Sequence, residues 1–172
     1  MKRKLIALTL VACMLSLAPL AVSAAPAPAA GGVSVPVAGT FTDALGGTGT
    51  FAGTFNIKQF KAVDGQVAAV GTLTGTLTNS VGAIIGTVLK TISVLVTVKK
   101  STCDILSLEL GPLDLDLLGL QVHLDKVVLD ITAQSGPGNL LGNLLCAVAH
   151  LLDSGGPLSQ IINLLNQILS ML

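Results

Sequence analysis

Apolar and polar positions alternate with period two along most of residues 33–133, and with the 3.6-residue period of a helix from residue 140 onward. Residues 33–40 alternate weakly and contain Pro36, which confines them to a sheet edge. Phe51, Gly53, Phe55 and Ile57 share one face of a strand. Ala69, Gly71, Leu73, Gly75 and Leu77 share a face of the next, with Thr72, Thr74, Thr76 and Thr78 opposite. Between the two, Asp64-Gly65 suits the positive φ of a tight turn, so the pair reads as a hairpin. Phe41, Phe51, Phe55 and Phe60 all lie here and carry the aromatic part of the core. In 88–98 the apolar residues fall on both faces: Val88, Ile92, Val94, Val96 and Val98 on one, Leu89 and Leu95 on the other. That pattern predicts a central strand covered twice. Residues 103–110 form a further strand, stopped by Gly111-Pro112.

Two phase slips follow. Leu113, Leu115 and Leu117 share a face, then Leu118, Leu120, Val122 and Leu124, then Val127, Leu129, Ile131 and Ala133. Each slip turns core residues outward unless an extra residue is absorbed. Gly119 suits a bulge at the first. The second, at Asp125-Lys126, is a bulge or a turn; the pair lacks the glycine of a two-residue hairpin, which favours a bulge in one long bent strand. After Ser135-Gly136-Pro137-Gly138, Leu140, Leu141, Leu144, Leu145, Val148, Leu151 and Leu152 fall within about 140° of a helical wheel. Ser154-Gly155-Gly156-Pro157 separates this helix from a second, whose apolar face holds Leu158, Ile161, Ile162, Leu165, Ile168, Leu169 and Leu172. The second helix's polar face, Ser159, Asn163, Asn166, Gln167 and Ser170, carries no charge, unlike a helix that grips anionic membranes. The expected fold is α+β: a bent antiparallel sheet of about six strands with two C-terminal amphipathic helices packed on one face.

The first 32 residues stand apart from this pattern. A basic start, Lys2-Arg3-Lys4, precedes an apolar run over 5–20, and Val22-Ser23-Ala24 places small residues before a cleavage site. Residues 1–24 therefore read as a secretory signal peptide, residues 25–32 as a Pro/Ala/Gly linker, and 33–172 as one domain. Leu10-Val11-Ala12-Cys13 has the residue types of a lipobox, the competing reading of the same segment. No later window holds about 20 uninterrupted apolar residues, so no transmembrane span is expected after cleavage. The export reading makes the protein secreted or periplasmic. It also leaves Cys103 and Cys146 as the two cysteines, which in an oxidising compartment predicts one disulfide.

Charge narrows the field. Hydrophobic residues make up 51% of the chain and charged ones 10%, with Trp and Tyr absent. From Ala25 onward six lysines face nine carboxylates, and arginine is absent. Such a chain offers no basic patch and no stacking platform for nucleic acid.

Candidate chemistry is sparse. His123 and Asp125 share one side of a strand, a base and an orienting carboxylate with no nucleophile beside them. Asp114 and Asp116 share a face with carboxylates ~7 Å apart, a spacing for an acid–base pair or Ca²⁺ and equally for a solvated face. Cys146 and His150, at i and i+4, would join Cys103 and His123 in a Cys₂His₂ zinc set if the cysteines stayed reduced. Cys146 lies about 240° from Leu140, nearly opposite the leucine face, so the helix must be flanked on a second side or met by the strand start bearing Cys103. The threonine row becomes a mineral- or ice-binding face only if several such rows lie side by side. Gly46-Gly47-Thr48-Gly49-Thr50 is a loop and not a phosphate cradle, since no Lys-Ser/Thr or helix follows. Neither a catalytic set nor a cofactor nor a resident metal is expected.

The run GPLDLDLLGLQVHLDKVVLDITA (111–133), followed by GNLLGNLLC (138–146), resembles a segment of uncharacterised exported bacterial proteins. Upstream, FNIKQF and GQVAAVGTLTGTLT look like the N-terminal part of the same group. The resemblance spans most of the chain after residue 24. It implies export and a shared fold, and brings no activity, cofactor or ligand. The aliphatic surplus then points to a non-enzymatic exported module that binds or carries an apolar, lipid-like ligand. The alternative is a structural or self-associating extracellular protein in which the same surplus is an interface.

Overall fold

The structure, a computed structural model, describes residues 32–43, 46–117 and 119–172. The signal-peptide and lipobox readings, and the linker up to Gly31, lie outside these residues. Four long strands form an antiparallel meander: β1 (Val33–Thr42), β2 (Thr48–Val63), β3 (Gln66–Thr78) and β4 (Ile84–Ser101). The β2–β3 hairpin turns at Asp64-Gly65, where both residues take positive φ (50° and 75°), as the dipeptide predicts. Thr48, Gly49 and Thr50 belong to β2, so only Gly46 and Gly47 of the glycine-rich stretch lie in the connection. The Asp43 carboxylate accepts hydrogen bonds from Gly47 N (2.8 Å), Ser80 N (3.0 Å) and Ser80 Oγ (2.6 Å), joining the β1–β2 and β3–β4 connections.

Among the described residues eight strands are present, not six, in one sheet ordered β6-β7-β1-β2-β3-β4-β5-β8. The miscount lies wholly in 113–134. β5 (Ile105–Leu110) and β6 (Leu113–Leu117) run up, and β7 (Leu120–Leu124) and β8 (Val127–Thr132) run back. At the first slip the chain reverses, pairing Leu117 with Leu120, and Gly119 (φ 83°) supplies turn geometry where a bulge was expected. The second slip is neither a bulge in one strand nor a hairpin. Leu110↔Val127 and Leu113↔Leu124 belong to one register, which leaves Gly111-Pro112 opposite Asp125-Lys126 as the corner of a single two-stranded ribbon. Both strands change phase there: Leu106, Leu108 and Leu110 are buried before it, Leu117 after it; Val122 and Leu124 before it, Ile131 after it.

The corner sets the shape of the molecule. β5 pairs with β4, and β7 pairs with β1 at the other side of the meander. The ribbon crosses between them in two-residue steps, and three Cα steps reach at most roughly 11 Å. The two sides of the meander are therefore brought near each other at the corner, and the sheet is curled around its core without closing. Close approach at the β1–β7 contact requires Gly39, since a Cβ there would run into His123 O. β1 is thus internal to the sheet order and not an edge strand; Pro36 is accommodated because β7 pairs only with Gly39–Phe41. A hydrogen bond from Lys99 (3.1 Å), opposed by partial burial and joined by Lys126 (3.4 Å), holds Glu109 below the usual carboxylate range, fastening the corner to β4.

Two helices follow, α1 (Leu140–Asp153) and α2 (Leu158–Leu169). Ile168, Leu165 and Leu169 face Phe60, Leu108 and Ile131, filling the concave side of the curl. Asn166 is not on a solvent face: its amide donates to Phe60 O (3.0 Å) and accepts from Phe60 N (2.7 Å). Phe60 lies past Ile57, the partner of Val33 at the start of β1, and there the Asn166 side chain bonds the β2 backbone as a neighbouring strand would. α1 packs largely on α2 and touches β4. That arrangement accounts for the position of Cys146: its leucine face meets the other helix, while its flank meets the turn before β5, where Cys103 and Cys146 form a disulfide.

Candidate functional site

The ribbon corner leaves a seam. β5 zips to β4 from Ser101↔Leu106 to Val96↔Leu110, and Gly111 N to Leu95 O (3.1 Å) is the last bond of that ladder. Beyond it Pro112 has no N–H to donate, and the ribbon swings toward β1. Among the described residues, the first part of β4, Ile84 to Val94, therefore pairs with β3 alone, and β6 pairs with β7 alone. Were the register continued, Lys90 would lie opposite Asp116, six positions from the last pair on each side. Lys90 Nζ reaches Asp116 O at 2.9 Å, bridging the gap with a side chain where a closed sheet would use backbone. Thr87, Val88, Leu89, Lys90, Asp116 and Leu117 line an open groove of about 380 Å³ along this seam.

Apolar side chains crowd the same end of β4. Val81 is 75%, Ile84 69% and Leu89 78% exposed, and Leu95 is 49% exposed further along. The expectation of a strand covered on both sides is thus corrected. Val88, Ile92, Val94 and Val96 are buried inside the curl, while Leu89 and Leu95 point outward with no described element over them. On this outer surface the threonines do line up across strands, Thr50↔Thr78, Thr54↔Thr74, Thr72↔Thr91 and Thr76↔Thr87. They cover a curled surface rather than a plane.

The polar candidates resolve differently from their spacing. His123 Nδ1 lies 2.7 Å from Asp114 Oδ1, its direct cross-strand neighbour, and not with Asp125, which sits past the end of β7 at the corner. Both members of the His123–Asp114 pair are exposed. Asp116 Oδ1 accepts from Gly119 N (2.9 Å), so Asp114 and Asp116 serve a cross-strand pair and a turn rather than a shared site. Of the Cys₂His₂ set, Cys103, Cys146 and His150 converge within 4.8 Å, while His123 is paired with Asp114 in the β6–β7 arm of the ribbon, near its corner. Spacing carried no signal for Lys90, Asn166 or Asp43. The partners Asp116, Phe60 and Ser80 lie 26, 106 and 37 residues away.

Inside the curl, the apolar voids found among the described residues measure about 20 Å³ beneath the corner and about 10 Å³ beneath α2. The larger has room for about one water. No helix among the described residues is long and apolar enough to cross a membrane. Comparison of the chain with protein-family models, curated proteins and solved structures gives no match.

Proposed function

We propose that the chain, exported and cut after Ala24, is a non-enzymatic structural protein that associates with copies of itself through the seam end of β4. The observation that carries this reading is a strand edge with no partner strand among the described residues, flanked by exposed Val81, Ile84 and Leu89. Exposed edges are ordinarily blunted by charge, proline or a covering element. Between Ile84 and Val94 the one charged residue is Lys90, and its ammonium is engaged across the seam. The small size of the apolar voids described inside the curl, about 20 and 10 Å³, supports reading the aliphatic surplus as this surface.

Native mass spectrometry and sedimentation of the exported protein test the proposal. Oligomers are expected for the wild type, and monomers for Leu89→Lys, whose side chain is too exposed to matter for folding. A wild type that stays monomeric at the highest attainable concentration, free of bound lipid, refutes it. The seam groove supports a second reading, binding of an apolar ligand along Val88, Leu89 and Leu117, since about 380 Å³ falls within the range of small-ligand sites. Lipid adducts on monomers in the same spectra would favour that reading over self-association.

A further inference from the structure

The disulfide has a histidine beside it. Cys146 and His150 lie one turn apart on α1, and ligand atoms of Cys103, Cys146 and His150 all fall within 4.8 Å of one another. Both cysteines are half-buried and His150 is exposed, so the group is open to solvent on the imidazole side. We propose that the reduced chain binds one zinc-class divalent ion through the Sγ atoms of Cys103 and Cys146 and a ring nitrogen of His150, with water in the fourth position. The ion then ties the β5 turn to α1 in place of the disulfide.

Three features carry this. The donor set, two thiolates and an imidazole, matches the borderline-soft preference of Zn²⁺. A tetrahedral ion with Zn–S near 2.3 Å and Zn–N near 2.0 Å needs its donors roughly 3.5–3.8 Å apart, which modest side-chain rotation from the present cluster supplies. Third, both elements are anchored without the S–S bond. Around Cys103, Thr102 N donates to Ile105 O (2.8 Å), Thr102 Oγ1 accepts from Ile105 N (3.1 Å), and Ala133 N donates to Asp104 O (3.0 Å). On α1, Leu145 and Val148 are fully buried, and Gly142 lies so close to Gln134 O that a Cβ would collide with it. Reduction thus leaves two thiols facing each other on elements that packing and hydrogen bonds still position.

The chemistry balances with a trialkylphosphine, which does not compete as a thiol ligand. The phosphine takes oxygen from water to become the phosphine oxide, the S–S bond breaks, and the two hydrogens go to the sulfurs. Binding the ion releases both protons and forms two metal–thiolate bonds and one metal–nitrogen bond.

Full-length protein, reduced in this way, is titrated with Co²⁺ as the optical probe and then with Zn²⁺. The expected result is thiolate-to-cobalt absorption saturating at one equivalent, displaced by Zn²⁺ and absent from the oxidised protein. Zn²⁺ should also raise the melting temperature of the reduced chain. His150→Ala keeps its disulfide and can be purified folded. After reduction it should bind Co²⁺ more weakly by about tenfold or more, since even partners behind metal ligands cost 10–100-fold. Absence of the thiolate absorption overturns the proposal. So does His150→Ala binding as tightly as wild type, or a fold lost on reduction that neither ion restores.

Discussion

Asn166 shows what one side chain does in so uncharged a molecule. Its amide supplies a donor and an acceptor in the spacing of a peptide group, and Phe60 N–H and C=O, past the first pair of β1 with β2, receive both. A buried backbone pair without partners costs more than its hydrogen bonds stabilise, because desolvation is left uncompensated. Asn166→Ala should therefore destabilise the fold by about 1–3 kcal/mol. Urea unfolding should show a lower midpoint, and hydrogen exchange at Phe60 N–H should accelerate more than at the neighbouring β2 amides. Asn143 uses the same device on the loop before α1, exchanging two 3.0 Å bonds with Gly136. Both asparagines lie on polar helix faces that the helical wheel assigns to solvent. A wheel assigns hydrophobicity, and it has no means of marking an amide that completes a distant strand.

At the scale of elements, α2 and the ribbon complete what the meander leaves open. α2 alone, twelve residues long, is marginal in water. Its stability comes from Leu165, Ile168 and Leu169 seated against Phe60, Leu108 and Ile131. Leu165 is 1% exposed, so Leu165→Ala should cost ~2–5 kcal/mol. The loss should be the same at every protein concentration, because the contact lies within one chain. Thermal melts over a wide concentration range check this, and unchanged melting would place α2 elsewhere. The helices, the Asp64-Gly65 hairpin and the meander strands are legible from periodicity because each is decided by neighbours a few residues away. The ribbon is not. Its alternation is that of any strand, and the phase change at Gly111-Pro112 and Asp125-Lys126 has meaning only once β4 and β1 flank it on opposite sides.

For the whole molecule, the disulfide closes a loop of 43 residues. In the chain-entropy model this contributes ~4 kcal/mol, a large share of a typical net stability of roughly 5–15 kcal/mol. The Cys103→Ser/Cys146→Ser double variant, measured with a chelator present, should unfold at lower denaturant by about that amount while keeping its β-sheet circular dichroism. Loss of the sheet signal in native buffer would mean that packing at Leu145 and Val148 does not hold α1 without the covalent tie.

Residue order along the chain was enough for the α+β class, the two C-terminal helices and the Cys103–Cys146 pairing. Each of these follows from local periodicity, turn chemistry or a count of residue types. The strand partners, the corner, the seam between β4 and β6, and the meeting of His150 with the disulfide became visible only in three dimensions. Period-two alternation states which side of a strand is apolar but not which strand lies beside it. The phase change at the corner is therefore visible in the sequence while the strands that flank it are not, and Leu89 can be left outside although its strand reads as apolar on both faces.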